Sequence, residues 1–359
     1  MSIDVMNIIF LLLRSALWGE AFQGELSKED FAWVLKLAKE QTVYGLVFDA
    51  LSQLKGNFDK RLIFEGLSVS QMIQRQNECV NKELKEIVRM FDENGINYLV
   101  VKGQTYSVLY PKSDLRMAGD VDFLIHQEYH SVKSLIERQF LVNLPETVIE
   151  GEIEFEHNNV PFELHTRLRT YAKKRHQVVW DTLMEKEWQE KYYVEIDGVK
   201  VRTLSPTLNA AYVFIHLFFH FIREGVSLRQ LCDWAMVLHH YKDEIDKEEL
   251  SQLLSDLDLI DACRAFGTIL TDHLGMPVSE FPLSLSKTDR KWKKKLLKDI
   301  FGGGNFGKLH HKAQNSWQFK IETLQLAIRN TLRYYRLCPS EIGGMIPRLV
   351  KGNLKILFS

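Results

Sequence analysis

The stretch Gly119-Asp120-Val121-Asp122-Phe123 places two carboxylates at the start of an apolar run. Residues 121–125 are rich in β-branched and aromatic side chains, which predicts a strand. Residues i and i+2 of a strand point to the same face, so Asp120 and Asp122 would lie side by side. Two like charges this close repel each other unless a cation lies between them. A hard divalent ion such as Mg²⁺, bound by oxygen at about 2.0–2.1 Å, meets that need.

A glycine turn precedes this strand at a place that suits phosphate binding. Residues 96–101 form another β-rich run, which ends in Lys102-Gly103, and residues 104–109 predict a short helix. Glycine lets the backbone come close to a phosphate, and the N-terminus of the following helix favours its negative charge. We therefore expect a phosphate site beside the two carboxylates.

A third acid lies on a later predicted strand. The segment Val160-Pro161-Phe162-Glu163-Leu164-His165 is apolar apart from its acid and its histidine. By the same period of two, Glu163, His165 and Arg167 share one face. A third carboxylate is what a second metal ion, about 3.5–4 Å from the first, requires. Glu163 is therefore the candidate for the third metal ligand.

Taken together, these motifs resemble those of the DNA polymerase β-like nucleotidyltransferase superfamily, and most closely its bacterial branch of uncharacterised nucleotidyltransferase-like proteins. The resemblance covers roughly residues 90–240. The matching elements are Val101-Lys102-Gly103, Arg116-Met117-Ala118-Gly119-Asp120-Val121-Asp122, Glu163-Leu164-His165, and His216 with His220 on a downstream helix. The expected fold class is α+β: a small mixed nucleotidyltransferase sheet with flanking helices, an N-terminal helical region and a C-terminal helical bundle.

The resemblance implies transfer of a nucleoside monophosphate from an NTP to an acceptor by a two-metal mechanism, with Mg²⁺ or Mn²⁺ as cofactor. On that basis, Asp120 and Asp122 would hold the metal ion that binds the triphosphate. Glu163 would join them at the second metal ion and help to activate the acceptor hydroxyl. The residues expected to contact or neutralise phosphates are Lys102, Gly103, Gln104 and Arg116.

Two other functions stay open. The superfamily commonly has serine after the glycine, where this chain has Gln104, and this difference favours a non-catalytic nucleotide-binding or antitoxin-like module. A metal-dependent phosphohydrolase would use His216, His220 and Asp233, but it lacks the adjacent His-Asp pair. The two histidines share one helical face, which also suits a structural role. Arg229 and Asp233 are spaced for an ion pair on a helix surface, or they face the cleft.

The candidate site residues also have simpler interpretations. The two aspartates could belong to a solvated strand end or a helix cap, and Glu163 could pair with Arg167 on the surface. Arg116 could form a salt bridge with Asp114 or with the first aspartate, and Lys102 could be an ordinary exposed lysine. The combination of motifs favours the metal site.

Length and composition are those of an ordinary globular protein. The 359 residues are 45% hydrophobic and 26% charged with a formal net charge of −1, so attraction to a polyanion must come from a local patch. The pattern predicts an N-terminal helical region (residues 1–93), a nucleotidyltransferase α/β core (94–204) and a C-terminal helical domain (205–359). We expect the active site in the cleft between sheet and bundle.

Location and partners are predicted from smaller features. Four dispersed cysteines without a CxxC pair, and an N-terminal apolar run too short to span a bilayer, predict a cytoplasmic protein without a transmembrane segment. Beside the nucleotide, the favoured acceptor is a small molecule or a protein, and RNA is also chemically compatible. The basic segment 290–298 suits RNA or a membrane surface, with a solvated helix face as the favoured interpretation.

Overall fold

The computed structural model describes residues 3–24, 26–54, 59–146, 148, 151–304 and 316–344. They fall into two compact units, each built from segments that are not contiguous in the chain. The sheet unit comprises Phe64–Thr170 and Glu185–Ser205, and the helical unit comprises Met1–Ile63, Tyr171–Met184 and Pro206–Ser359. Helices and a mixed sheet both contribute, so the fold is of the α+β class.

A four-stranded mixed sheet organises the sheet unit. Its strands are β1 (Tyr98–Val101), β2 (Val121–Ile125), β3 (Glu152–His157) and β4 (Val160–His165), in the order β1-β2-β4-β3. β2 runs antiparallel to β1 and parallel to β4, and β3 is antiparallel to β4. This order brings β2 and β4, which carry the predicted acids, side by side in the middle of the sheet.

Two helices cover one face of this sheet. They are α4 (Lys60–Glu93) and α6 (Tyr129–Phe140), and both have apolar residues at helical spacing. Phe123 of β2 is 2% exposed and meets Phe91 of α4 edge to face, with ring centroids 5.3 Å apart. Edge-to-face contact of this kind adds about 0.5–1.5 kcal/mol to the free energy of burial. The core of the unit therefore lies between α4, α6 and the sheet.

Two short elements complete the sheet unit. The helix α5 (Gln104–Ser107) follows β1, and the hairpin of β5 (Tyr192–Ile196) and β6 (Val199–Thr203) lies beside it. The Thr203 hydroxyl donates to the Val100 carbonyl over 2.8 Å, which ties the hairpin to β1.

The helical unit is built around one strongly apolar helix. Its helices are α1 (Ile3–Trp18), α2 (Lys28–Glu40), α3 (Tyr44–Ser52), most of α7 (Lys174–Glu187), α8 (Pro206–Arg223), α9 (Leu228–His240), α10 (Lys247–Asp256), α11 (Ile260–Asp272), α12 (Lys287–Gly303) and α13 (Ser316–Tyr334). Phe214 of α8 packs on Trp234 of α9 with ring centroids 4.9 Å apart, and Phe218 packs on Phe266 of α11 at 6.1 Å. Among the described helices, none has both the length and the apolar composition needed to cross a bilayer.

The sheet unit extends across the predicted domain boundary at residues 93/94, whereas the helical unit resumes at Pro206, one residue beyond the predicted boundary at 204/205. α4 belongs with the sheet because its apolar face packs there, and the N-terminal and C-terminal helices share one unit. The Arg14 guanidinium of α1, for example, donates to the carbonyl oxygens of Asp272 and His273 over 2.9 and 2.8 Å. Contacts between residues about 260 positions apart leave no local sequence pattern, so the three-part division could not anticipate them.

Candidate functional site

Asp122 lies opposite Glu163 in the register of the parallel pair β2 and β4. Side chains alternate along a strand, so Val121 and Phe123 point into the core and Asp122 points to the other face of the sheet. Asp120 directly precedes β2 and is half-buried. Asp122 therefore lies at the start of β2, and Asp120 lies two residues before it at the same end of the sheet.

The Lys102-Gly103 turn holds a positive charge against Asp122. Both turn residues have positive φ, +59° for Lys102 and +50° for Gly103, a conformation that costs a non-glycine residue about 1–2 kcal/mol. A Cβ atom at Gly103 would lie 2.9 Å from the Asp120 carbonyl oxygen, so glycine is required there. The turn brings Lys102 Nζ to 2.6 Å from Asp122 Oδ1.

His165 reaches the same carboxylate from β4. Its Nε2 atom lies 2.9 Å from Asp122 Oδ1 and 3.4 Å from Glu163 Oε2. Its Nδ1 atom lies 3.8 Å from Glu152 Oε2 on β3. Because Glu163 and His165 are two residues apart on one strand, the sheet presents both to Asp122 on the same face.

The Asp122 carboxylate is buried and only half satisfied. Its side chain is 1% exposed, Oδ1 contacts both Lys102 and His165, and Oδ2 has no hydrogen-bond partner among the described residues. Burial alone would raise the pKa of Asp122, but the Lys102 ammonium and the His165 hydrogen bond hold it well below its usual range. A charged carboxylate with one buried, unpaired oxygen is a group that a metal cation can satisfy.

Glu163 and His165 favour their protonated forms in the absence of a metal. Burial, together with the charges of Asp122 and Asp120, raises the pKa of Glu163 to about 8 against the opposing hydrogen bond from His165. Burial would lower the pKa of His165, but its hydrogen bonds to Asp122 and Glu163 raise it to about 9. A cation at this site would therefore compete with protons.

The donor set fits a divalent cation. One ligand atom each of Asp122, Glu163 and His165 lies within 4.8 Å of the others, and a side-chain hydrogen bond joins Glu163 to Asp120. Two of the predicted acids, Asp122 and Glu163, thus form a group with the nitrogen of His165, and Asp120 reaches this group through its hydrogen bond with Glu163. Carboxylate oxygens suit Mg²⁺ and Mn²⁺, and an imidazole nitrogen widens the choice toward transition metals.

Gln104 is turned toward α4. Its amide nitrogen donates to Asn77 Oδ1 over 3.3 Å and also to Asn81 Oδ1. The Asn77 amide in turn donates to the carbonyl oxygens of Asp114 and Arg116 over 3.0 and 2.9 Å. The Gln104 donor is thus engaged inside the protein, and its contact with a phosphate stays a prediction. Arg116 is 3% exposed, next to the site strand in sequence.

The four helical residues singled out in the sequence lie in the helical unit. His216 and His220 are neighbours on α8 with ring centroids 4.2 Å apart, and His220 Nδ1 lies 3.5 Å from Glu224 Oε2. Arg229 and Asp233 lie on α9, where Asp233 is 6% exposed. Among the described residues, the side-chain clusters that could hold a metal ion do not include these histidines. The geometry therefore gives no support to the phosphohydrolase interpretation.

Sequence reasoning missed Glu152 and Asn77. Glu152 lies opposite His165 in the β3–β4 register, and Glu154 lies opposite Glu163. The alternation of acids at 152, 154 and 156 was a readable sign that β3 carries charge on one face. Asn77 gave no sign, because an asparagine in a helical pattern usually faces solvent. Arg167 is exposed, two residues beyond the end of β4.

Comparisons with known proteins agree with this geometry. The model of a family described as uncharacterised nucleotidyltransferase matches residues 27–275. No curated protein matches the chain. One similar solved structure is that of an antigenic nucleotidyltransferase-like protein from Paracoccidioides brasiliensis, 15% identical, covering 55% of this chain and 93% of that chain with a TM-score of 0.34. A likeness at that TM-score carries no weight for fold or function.

Proposed function

This chain belongs to the uncharacterised nucleotidyltransferase family, and we propose that it transfers a nucleoside monophosphate from an NTP to an acceptor hydroxyl. The acceptor oxygen would bond to the α-phosphorus while the bond to the β-phosphate oxygen breaks and pyrophosphate leaves. The observation that carries the proposal is the convergence of Asp122, Glu163 and His165, whose ligand atoms lie within 4.8 Å of one another.

Asp120, Asp122 and Glu163 are the residues that would hold divalent cations, with Mg²⁺ or Mn²⁺ expected. Bound there, such cations would neutralise the triphosphate and the charge that develops on the attacking and leaving oxygens. The unpaired Oδ2 of Asp122 supports this assignment, because a buried carboxylate oxygen without a partner is costly in a native structure.

Lys102 and Gly103 would bind the phosphates of the NTP. The Lys102 ammonium lies 2.6 Å from Asp122 Oδ1, so its charge would be close to the phosphates of an NTP whose metal ion binds Asp122. Gly103 leaves the backbone open to close approach by a phosphate oxygen. Arg116, held through its carbonyl oxygen by Asn77, would add a second cation near the strand.

Glu163 would help to activate the acceptor hydroxyl as a ligand of the second metal ion, which would lower the pKa of that hydroxyl so that its proton passes to solvent as the oxygen attacks. The pKa of Glu163 is raised to about 8, so this carboxyl group must lose its own proton before it can bind the ion. His165, which contacts both Glu163 and Asp122, would hold the two carboxylates in position.

A second candidate function is nucleotide binding without turnover. Gln104 replaces the serine that the superfamily commonly has, and its amide donates to Asn77 and Asn81 of α4. The turn then offers a phosphate no side-chain hydroxyl. In such a module the nucleotide would bind at Lys102-Gly103 and stay intact.

Label transfer distinguishes the two functions. The protein is incubated with Mg²⁺ or Mn²⁺, α-³²P-labelled NTPs and a cell extract as the source of acceptor, and label transfer and pyrophosphate are measured. We expect both with the wild type, and neither with the Asp120→Ala/Asp122→Ala double variant. Glu163→Gln should also lose turnover.

Glu156→Gln is the matched control for Glu163→Gln. Glu156 is an exposed acid on β3, opposite Pro161 and outside the site, so the same change there should leave turnover intact. Binding of NTP without label transfer for any acceptor fraction would instead support the binding module. Equal turnover in Glu163→Gln and Glu156→Gln would remove Glu163 from the chemistry.

A further inference from the structure

The basic segment of α12 separates into two faces in the structure. The inward cations have partners within the helical unit: Arg290 and Lys293 contact Asp272 at 3.2 and 2.7 Å. Lys295 donates to the Arg333 carbonyl oxygen over 3.0 Å and lies over the Trp292 ring. These three cations therefore form contacts that stabilise the helical unit itself.

The outward cations form a single row. Lys287, Lys291, Lys294 and Lys298 are all exposed, and none forms a hydrogen bond or ion pair with any residue that the structure describes. Their spacing of i, i+4, i+7 and i+11 places them on one face of the helix, along about 16 Å of its axis. We refer to these four side chains as the lysine row.

The lysine row is unfavourable for the protein on its own. The residues three and four positions away from each lysine are uncharged or basic, so no carboxylate of the helix face balances the row. Like charges at these spacings destabilise a helix by about 0.2–0.5 kcal/mol a pair. Lys287 is also the first residue of α12, where the helix dipole disfavours a cation. A polyanion on this face would relieve each of these costs.

We propose that the lysine row binds the phosphodiester backbone of a single-stranded nucleic acid. The row is straight and narrow, which suits one flexible strand with a charge at every phosphate. A net charge of −1 provides no general attraction, so binding must come from this local patch. Lysines contact phosphates as point charges and read no base, so binding should be independent of sequence.

A membrane surface fits the same row less well. A helix that lies on a bilayer also buries an apolar face in it. Leu296, Leu297, Ile300 and Phe301 of α12 are buried within the protein, and the half-buried Trp292 packs on Tyr334 with ring centroids 6.0 Å apart. Charge alone is therefore what α12 offers to a partner, and a nucleic-acid backbone supplies the complementary charge at high density.

This inference goes beyond nucleotidyl transfer, because binding needs neither metal nor turnover. The test uses the full chain, a fluorescein-labelled single-stranded RNA of about 16 nucleotides and fluorescence anisotropy at several salt concentrations. Four neutralised phosphates predict a slope of log K against log salt of about −3. Single-stranded DNA of the same length should bind within a few fold, because the row does not read the 2′-hydroxyl.

Three variants make the test specific. Changing the lysine row to glutamine should weaken RNA binding by at least about tenfold at low salt and flatten the slope toward zero. Changing the row to arginine should keep both the affinity for RNA and the dependence of that affinity on salt. Lys28→Gln/Lys39→Gln/Lys174→Gln/Lys247→Gln makes the same change in net charge at four scattered exposed positions and should bind as the wild type does. Asp122→Asn should also bind normally, which separates this inference from catalysis.

Several outcomes would overturn the proposal. Unchanged affinity and salt slope in the glutamine variant of the row would show that the row is only a solvated face. An equal loss of RNA affinity in the variant with four scattered substitutions would show that the effect depends only on the net charge of the protein. Binding to phosphatidylserine vesicles without binding to RNA would assign the row to a membrane surface instead.

Discussion

Asp122 carries a buried negative charge that contacts both Lys102 and His165. It is 1% exposed, yet Lys102 and His165 keep it ionised, and its second oxygen is left without a partner among the described residues. A buried ion pair adds little net stability, since desolvation offsets the attraction. The arrangement is therefore better explained by a cation that the carboxylate is built to receive than by stability of the fold.

Asp122→Asn tests this residue directly. We expect turnover to fall at least about 100-fold, because the amide cannot bind the metal as a carboxylate does. The free energy of unfolding without metal should fall by up to about 3 kcal/mol, since Lys102 and His165 lose their counter-charge. Urea unfolding and pyrophosphate release measure the two effects. Asp114→Asn, at an exposed acid, should change neither, and equal effects at both positions would refute the special role of Asp122.

Metal binding should release protons. The pKa values of about 8 for Glu163 and about 9 for His165 mean that both side chains are protonated at pH 7. A cation bound by Glu163 must displace its proton, and the positive charge of that cation also disfavours the neighbouring His165 imidazolium. Affinity for Mn²⁺ should therefore rise as the pH increases from 7 to 9. Calorimetry in two buffers of different ionisation enthalpy measures the released protons, and Glu163→Gln should release fewer.

The same pKa shifts fix the pH dependence of stability without metal. Both pKa values are raised by folding, so the folded state binds these protons more tightly than the unfolded state does. Their contribution to the free energy of unfolding is complete at low pH and is lost as the pH rises through about 8 and 9.

The prediction for metal binding can fail separately. Metal affinity that is constant between pH 7 and 9 would contradict the protonation of Glu163 and His165 at pH 7.

Among the elements, the turn between β1 and α5 determines where Lys102 points. Gly103→Ala should cost about 1–2 kcal/mol from its φ of +50° and more from the 2.9 Å contact with the Asp120 carbonyl oxygen. Turnover should fall as well, because the turn and Asp120 must shift apart. Thermal unfolding and pyrophosphate release measure the two losses.

Gly95→Ala separates strain from contact. Gly95 has φ +65°, and a Cβ atom there would meet nothing within 4 Å. The Gly95→Ala variant should therefore lose only the free energy of unfolding that comes from its positive φ, and it should keep full turnover. If both alanine variants lose stability and turnover equally, the close approach to Asp120 has no functional consequence.

Much of the sheet unit could be predicted at the level of elements. The strand over residues 121–125 is confirmed as β2, and an Asp-Gly pair of the kind that marks a hairpin turn, Asp197-Gly198, joins β5 to β6 with φ of +45° and +79°. These features are local, because alternation and turn residues identify them. The positive φ of Lys102 and the turning of Gln104 toward Asn77 could not be predicted, since both depend on packing against other parts of the chain.

The boundaries between the two units of the whole molecule have no clear signal in the sequence. α7 lies inside the segment predicted as one α/β core, but its residues up to Met184 belong to the helical unit. Val178 is 56% exposed while Trp180 is fully buried, so its apolar residues do not form a clear stripe. Assignment of a helix to a unit depends on contacts distant in sequence, which a single chain does not reveal.

Two fragments test the division into units. Residues 94–204 lack α4, whose Leu84, Val88 and Phe91 fill the core beneath the sheet. Each buried side chain of this kind contributes about 1.5–3 kcal/mol, so this fragment should not fold. Residues 64–205 retain the helix and should unfold cooperatively in circular dichroism. A folded 94–204 fragment would instead support the predicted boundary at residues 93/94.

The most direct measurement is the position of Mn²⁺ in crystals of the protein grown with a non-hydrolysable NTP analogue. We predict anomalous density for manganese among Asp120, Asp122 and Glu163, with the triphosphate against the Lys102-Gly103 turn. Lys102 should then contact a phosphate in place of Asp122. Manganese elsewhere, or an analogue bound while Lys102 still holds Asp122 and no metal lies between the acids, would contradict a metal-dependent nucleotidyl transfer site.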